Sequence, residues 1–126
     1  MGDRIDVDAV MYPGNSYTSQ NGQYTLIFQE DSNFVLYKRN GDNQDPIWAS
    51  NTWAGDSSAT NKSVILQTDG NFVMYDGEGQ PLWASNTGGY EGVNRPYIMV
   101  QDDGNVCMYD EALEGQCLWN TGTYQG

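Results

Sequence analysis

The chain has 126 residues, and its 17 acidic side chains against five basic ones give a formal net charge of −12. This length favours a single domain over residues 1–126, and the acidic balance argues against binding to nucleic acid or to an anionic membrane surface. No apolar run approaches the roughly 20 residues of a membrane span. No histidine is present to act as a general base or as a metal ligand.

The N-terminal segment bears on the cellular compartment. The N-terminal segment MGDRIDVDAVMY is acidic and lacks both the basic and the apolar region of a signal peptide. We therefore expect a cytoplasmic protein, with a secreted mature chain as the alternative.

The two cysteines, Cys107 and Cys117, are too few for a disulfide scaffold. They flank a predicted hairpin, and the sequence is compatible with a cross-strand disulfide or with two free thiols.

The first predicted unit is a pair of hairpins that begins with an apolar run at residues 24–28. A turn with the sequence DSN follows, and the chain returns through residues 34–38 to a second turn at residues 40–43. The segment IWASNT, residues 47–52, is the last predicted strand of the unit. Short apolar segments, scattered glycines and the absence of a 3.6-residue period predict an all-β protein of antiparallel strands.

The same unit occurs three times along the chain. The pattern Q-x-D-x-N-x-V-x-Y begins at Gln29, Gln67 and Gln101, and only the third copy departs from it, with Cys107 in place of valine. A second marker, a tryptophan in the last strand of each unit, recurs at intervals of 35 and 36 residues. Two markers with one shared period predict internal repeats. The predicted repeats are residues 21–52, 61–87 and 94–122.

Alternation along each motif strand predicts which side chains form the core. Successive side chains of a strand point to opposite faces. The predicted core face consists of Phe34, Leu36, Phe72, Met74, Val106 and Met108. One unit of about 35 residues cannot bury its apolar face alone, so three sheets around a pseudo-threefold axis are expected to share one core. The apolar side chains expected to join it from the neighbouring strands are Ile47, Trp48, Leu82, Trp83, Leu118 and Trp119.

The opposite face of each motif strand combines amide, carboxylate, small apolar and phenol groups. Ionised Asp only accepts hydrogen bonds, whereas Asn, Gln and Tyr both donate and accept, and this mixture suits the vicinal hydroxyls and the C–H face of a pyranose. The predicted ligand-binding residues are Gln29, Asp31, Asn33, Val35, Tyr37, Gln67, Asp69, Asn71, Val73, Tyr75, Gln101, Asp103, Asn105, Cys107 and Tyr109. The other interpretation is a turn-and-strand signature kept for folding. A role in folding alone would not require Gln at the start and Tyr at the end of the motif in all three copies.

With these motifs, the chain resembles the monocot mannose-binding lectins, the family of the snowdrop and garlic bulb lectins, from about residue 5 to residue 122. The resemblance implies a β-prism II fold, with three four-stranded antiparallel sheets and tryptophans in the centre. It also implies a multivalent lectin, not an enzyme, that binds α-D-mannose and mannose-containing glycans at up to three shallow sites without metal or other cofactor. In that family, Asp and Asn bind the axial 2-hydroxyl, while Gln and Tyr serve the 3- and 4-hydroxyls.

The sequence departs from the family pattern at several positions. Cys107 offers a similarly small apolar surface in the third site, although a bridge to Cys117 would distort that site. Ser32 stands where the plant lectins have a disulfide cysteine, so that bridge is absent. Trp53 follows Thr52, whereas Gly88 occupies the corresponding position of the second copy. Trp53 could serve as an exposed contact for a ligand or take part in local packing, and the sequence is compatible with both roles. The resemblance also implies a homodimer formed through the C-terminal strand, residues 118–126.

Other chemistries fit the sequence less well. A twelve-residue calcium loop starting at Asp69 would require Glu where Gln80 stands. A glycosidase requires two carboxylates that face each other across a cleft, whereas the motif brings one Asp to each site. The alternative function is a protein-interaction module, toxin-like or inhibitor-like, on a lectin scaffold.

Overall fold

The computed structural model describes residues 2–89 and 92–125. Within these residues the chain forms twelve strands and no helix, so this part contains no helical segment that could cross a membrane. The strands are β1 (Arg4–Asp6), β2 (Val10–Met11), β3 (Ser16–Thr18), β4 (Tyr24–Phe28), β5 (Phe34–Asn40), β6 (Asn43–Ala49), β7 (Ser63–Leu66), β8 (Phe72–Tyr75), β9 (Pro81–Ala84), β10 (Pro96–Val100), β11 (Val106–Asp110) and β12 (Trp119–Asn120).

The strands form three antiparallel sheets of four strands each, as predicted. The strand orders are β1-β10-β11-β12, β2-β7-β8-β9 and β3-β4-β5-β6. In every sheet, the two strands of the Asp-x-Asn hairpin lie in the middle, and the tryptophan strand lies at one edge. One repeat therefore supplies three consecutive strands, joined by short turns.

The fourth strand of each sheet comes from the N-terminal segment. The short strands β1, β2 and β3 follow one another along the chain, yet they pair with β10, β7 and β4 in three different sheets. Ile5 and Met11 in this segment are fully buried in the common core. The sequence does not reveal these strands, because two or three residues carry too little alternation to be distinguished from a loop.

The three sheets share the same register around the central core. The inward-facing partners of the tryptophans are Leu36 for Trp48, Met74 for Trp83 and Met108 for Trp119. The three indole rings meet edge-to-face, with centroids 5.7 to 5.8 Å apart. Such offset and T-shaped contacts stabilise aromatic pairs beyond the burial of area. The prediction that the tryptophans meet in the centre is confirmed.

The predicted core face of the motif strands is also confirmed, since all six of its side chains are fully buried. Ile47 and Leu118 are half-buried against this core. The prediction for Leu82 is wrong, because its side chain is 42% exposed. Leu82 lies at a register shift between β8 and β9, where Met74 pairs with Trp83 and Tyr75 pairs with Pro81. Its counterpart Ile47 lies at the same kind of register shift beside Trp48 but packs against the core, so the shift does not by itself expose a side chain.

Candidate carbohydrate-binding sites

Each motif begins with a tight turn that places its Asp and Asn side by side. In the first copy, the Asp31 carboxylate accepts a hydrogen bond from the backbone N–H of Asn33 at 3.0 Å. The same bond measures 2.9 Å at Asp69 and at Asp103. Short Asp side chains characteristically stabilise turns in this way. One carboxylate oxygen is therefore held by the turn, and the other acceptor positions of the carboxylate are left for a ligand.

The middle residue of each turn has a positive φ angle. Glycine occupies it at Gly70 and Gly104, with φ of 88° and 90°, where no Cβ opposes this conformation. Ser32 occupies it in the first copy, with φ of 76°. Its hydroxyl is fully buried and bonds to Ser58 Oγ at 2.6 Å and accepts from Lys62 Nζ at 2.8 Å. These contacts explain how serine is held in a conformation that favours glycine.

The Asn side chain of each motif is anchored by the segment that follows the tryptophan strand. Asn33 Oδ1 accepts from the backbone N–H of Thr52 at 3.3 Å, and Thr52 Oγ1 donates to the carbonyl of Ser32 at 2.6 Å. The equivalent bonds join Thr87 to Asn71 and Gly70, and Thr123 to Asn105 and Gly104. This bonding uses only the carbonyl oxygen of the amide, so its two N–H donors can serve a ligand.

Gln and Tyr of each motif form a pair across the hairpin. In the second copy, Gln67 donates to the Tyr75 hydroxyl. In the first copy, the Gln29 amide satisfies both neighbours when its nitrogen donates to the Asp31 carboxylate at 3.0 and 3.2 Å and its oxygen accepts from Tyr37. The third copy has the same arrangement, with Gln101 between Asp103 and Tyr109. These side chains are therefore linked to one another and pre-oriented.

The small apolar position of the motif is more deeply buried than the sequence suggests. Val35 and Val73 are each 2% exposed, and Cys107 is 3% exposed. They were predicted to offer an apolar patch on the solvent-facing side of the motif strands. They instead form the nearly covered floor of the site.

An open hollow of about 430 Å³ lies over the second motif. Its lining residues are Asn71, Val73, Tyr75, Pro81, Leu82, Trp83, Ala84 and Asn86. The predicted residues Asn71, Val73 and Tyr75 are thus brought together, and the outward-facing Leu82 adds an apolar wall. A larger hollow, of about 550 Å³, lies at the far end of the β5–β6 hairpin and includes none of the predicted site residues.

Comparison with known proteins places the chain in a family. No protein-family profile matches the chain. A mannose-specific lectin from Aloe arborescens is 40% identical over 85 residues, which cover 68% of this chain and 69% of the relative. The B-type lectin plumieribetin from Scorpaena plumieri is 40% identical over 74 residues, which cover 59% of this chain and 58% of the relative. The chain belongs to the monocot mannose-binding lectin family.

Solved structures of the family share the fold over nearly their whole length. A monomeric monocot mannose-binding lectin from Gastrodia elata is 36% identical, with a TM-score of 0.78 and coverage of 97% of this chain and 98% of that one. The snowdrop (Galanthus nivalis) lectin, solved with methyl α-D-mannoside, is 34% identical, with a TM-score of 0.70 and coverage of 98% and 99%. The predicted β-prism II fold is therefore confirmed, and the relatives are lectins, which are not enzymes.

The third site of this family member contains a thiol. Cys107 and Cys117 are both free in the structure, which settles the alternative that the sequence left open. The Cys107 Sγ lies 3.5 Å from the side-chain amide of Gln101. Burial raises the pKa of the Cys107 thiol to about 12, and burial raises the pKa of Tyr109 in the same site to about 12. Both groups are therefore neutral near pH 7.

Sequence reasoning missed the residues that anchor the asparagines. They are Ser50, Thr52, Ser85, Thr87, Thr121 and Thr123. A signal for them was present, because the repeated Trp-Ala-Ser-Asn-Thr segment carries most of them. That segment was interpreted only as a marker of the last strand.

A metal centre has no support in the described residues. Nowhere in residues 2–89 and 92–125 do three or more His, Cys, Asp or Glu side chains gather in a way that could hold a metal ion.

Proposed function

We propose that the chain binds α-D-mannose and mannose-containing glycans at three shallow sites without a metal ion. One observation carries this proposal: in every motif, the protein bonds only to the carbonyl oxygen of the Asn amide, so its two N–H donors remain beside the Asp carboxylate. The turn, and in the first and third motifs also Gln, uses only part of the acceptor capacity of that carboxylate. The snowdrop lectin with methyl α-D-mannoside and the Polygonatum cyrtonema lectin with a monomannoside support mannose as the sugar.

This arrangement can hold one sugar hydroxyl from both sides. The hydroxyl donates a hydrogen bond to the carboxylate of Asp69, and its oxygen accepts a hydrogen bond from the amide of Asn71. A charged acceptor makes the first bond stronger than one between neutral groups. Tyr75, already paired with Gln67, is placed for a neighbouring hydroxyl. The residues of the first and third motifs take the same roles in their sites.

Each site is expected to bind weakly, because the hollow over the second motif is open and the three motifs have the same arrangement. A dissociation constant of about 1 mM corresponds to about −4 kcal/mol. Three sites on one body compensate for this weakness on a multivalent ligand, where avidity exceeds the single-site affinity by about 10²–10⁴. Glycoproteins and glycans with several terminal mannoses are therefore the expected partners.

The test is a calorimetric titration with methyl α-D-mannoside, together with retention on mannose-agarose. Wild type is expected to bind at three sites and to elute with free mannose. Asp69→Ala and Asn71→Ala are each expected to remove one of the three sites with an unchanged circular dichroism spectrum. Asp42→Ala, an exposed carboxylate in the larger hollow, is the matched control and should retain all three. Three intact sites in Asp69→Ala would refute the assignment of Asp69 to the second site. A wild-type chain that does not bind mannose would refute the proposed function.

We also propose that two chains associate through residues 118–126, of which Gly126 lies outside the described residues. The short strand β12 lies at the edge of its sheet, and an edge strand offers unpaired backbone groups to a second chain. Light scattering coupled to gel filtration tests this, since the single chain has a mass of 14.0 kDa. The cytoplasmic location stays a prediction.

A further inference from the structure

One position at the rim of each site is held between two anchored residues. In the first site, the backbone N–H of Thr52 donates to Asn33 Oδ1 at 3.3 Å, and the backbone N–H of Ala54 donates to the carbonyl of Asp31 at 2.9 Å. Trp53 lies between these two bonds. Its backbone is therefore fixed against the Asp and the Asn of the motif.

The same pair of bonds occurs in the other two sites. Thr87 and Gly89 bond to Asn71 Oδ1 and to the carbonyl of Asp69, with Gly88 between them. Thr123 and Gln125 bond to Asn105 Oδ1 and to the carbonyl of Asp103, with Tyr124 between them. The three rim positions are thus structurally equivalent, and they carry tryptophan, glycine and tyrosine.

The rim position points its side chain at the Asp and the Asn of the motif. A Cβ built on Gly88 would lie 3.2 Å from the Asn71 Cβ and 3.3 Å from Asp69 Oδ2. By equivalence, the side chains of Trp53 and Tyr124 begin beside the polar groups of their own sites. In agreement, Asp31 and Asp103 are half-buried next to the aromatic residues, whereas Asp69 next to glycine is exposed.

The two aromatic rings are nevertheless open to solvent. Trp53 is 65% exposed and Tyr124 is 66% exposed, unlike the other three tryptophans, which pack in the centre. Isolated exposed aromatic side chains are common on protein surfaces. These two differ because both occupy the same rim position, each tethered on both sides to the site that it adjoins.

We propose that Trp53 in the first site and Tyr124 in the third site each form a subsite for the second sugar of an oligosaccharide whose terminal mannose occupies the adjoining polar site. This inference rests on the proposed mannose binding. The C–H face of a pyranose is apolar, and a large rigid ring buries such a face at a low cost in conformational entropy. The second site, with Gly88 at its rim, lacks this wall and holds one sugar. The three sites therefore differ in specificity, although their polar motifs match.

The test compares an α-linked dimannoside with methyl α-D-mannoside in a chain with only the first site intact, Asp69→Ala/Asp103→Ala. The readout is the ratio of the two affinities, measured by NMR titration. Removal of one stacked ring with Trp53→Ala is expected to lower the preference for the dimannoside by about fivefold to tenfold. Trp53→Phe should retain most of the preference. Tyr12→Ala is the matched control, because Tyr12 is also an exposed aromatic, at 59%, and should leave the ratio unchanged.

The outcomes separate this inference from the proposed function. If methyl α-D-mannoside binds and the ratio is the same in Trp53→Ala as in its parent, the subsite is refuted while mannose binding stands. If methyl α-D-mannoside does not bind the wild-type chain, mannose binding itself is refuted. In the wild-type chain, the indole N–H resonance of Trp53 should shift with the dimannoside, and an unmoved resonance would also contradict the subsite.

Discussion

The two faces of the motif hairpins are held in place by different forces. On the inner face, Phe72 is fully buried and contacts Phe34 and Trp83 edge-to-face, with ring centroids 5.5 and 6.1 Å apart. On the outer face, Asp69 and Asn71 are oriented by hydrogen bonds to the turn and to Thr87. Apolar packing is strong and non-directional, whereas hydrogen bonds are weak in net energy and directional. The inner face therefore supplies stability, and the outer face supplies the geometry that a sugar needs.

The largest expected effect comes from truncation on the inner face. Phe72→Ala should lower the free energy of unfolding by about 3–5 kcal/mol, because a buried ring is lost and a cavity remains. Asp69 lies in the hairpin turn that precedes Phe72, on the outer face. Asp69→Ala removes its hydrogen bond to the backbone N–H of Asn71 and should cost only about 1 kcal/mol, the net value of a typical hydrogen bond. Urea denaturation measures both. Equal losses in the two variants would show that the faces do not divide their roles in this way.

An intermediate effect is expected where the outer face is anchored. The Thr87 hydroxyl is buried and donates to the carbonyl of Gly70 at 2.6 Å. Thr87→Val keeps the shape but leaves that carbonyl unsatisfied, which should cost about 1–3 kcal/mol of stability and weaken mannose binding at the second site. Denaturation and titration check the two effects.

Thr60→Val is the matched control for this anchor, since the exposed Thr60 makes a similar bond to the carbonyl of Ser57 at 3.0 Å. It should change stability by less than about 0.5 kcal/mol, as is usual for surface substitutions. A loss as large as that of Thr87→Val would mean that burial of the anchor is irrelevant.

The smallest expected effect concerns the floor of the third site. Burial raises the pKa of the Cys107 thiol from 9.0 to about 12. Its protonated form is therefore favoured by folding, so its contribution to stability is complete below pH 9 and is lost as the pH rises towards 12. Cys107→Val should show a shallower loss of stability over this range of pH, measured by denaturation. An identical dependence of stability on pH in wild type and variant would show that burial does not raise the pKa of the Cys107 thiol.

Thiol labelling offers an internal check on the same residue. The thiolate is the reacting form, so iodoacetamide at pH 8 should modify the exposed Cys117 and leave Cys107 intact until the chain is unfolded. Peptide mapping by mass spectrometry distinguishes the two. Rapid labelling of Cys107 in the native chain would show that the floor of the third site is open.

Much of the fold and of the site follows from local patterns in the sequence. The repeated motif predicted the hairpins, and the alternation of polar and apolar residues predicted the inner face, including Phe34 and Met108. The positions of Asp31 and Asn33 at a turn also follow from their chemistry. Leu82 was assigned to the core wrongly, because its place next to a tryptophan in the sequence is the same as that of Ile47, and only the tertiary structure leaves Leu82 beside an open hollow.

The sequence by itself determined which residues alternate, where the turns fall and which polar groups recur, because these properties depend on neighbours along the chain. Only the tertiary structure decided that β1, β2 and β3 complete three separate sheets, that Thr52 and its counterparts anchor the asparagines, and that Val35 is covered. These features join segments far apart in the chain, as the bond from Asp8 N to the Leu66 carbonyl does. Their energies come from packing and hydrogen bonds that form only when the three sheets close around one core.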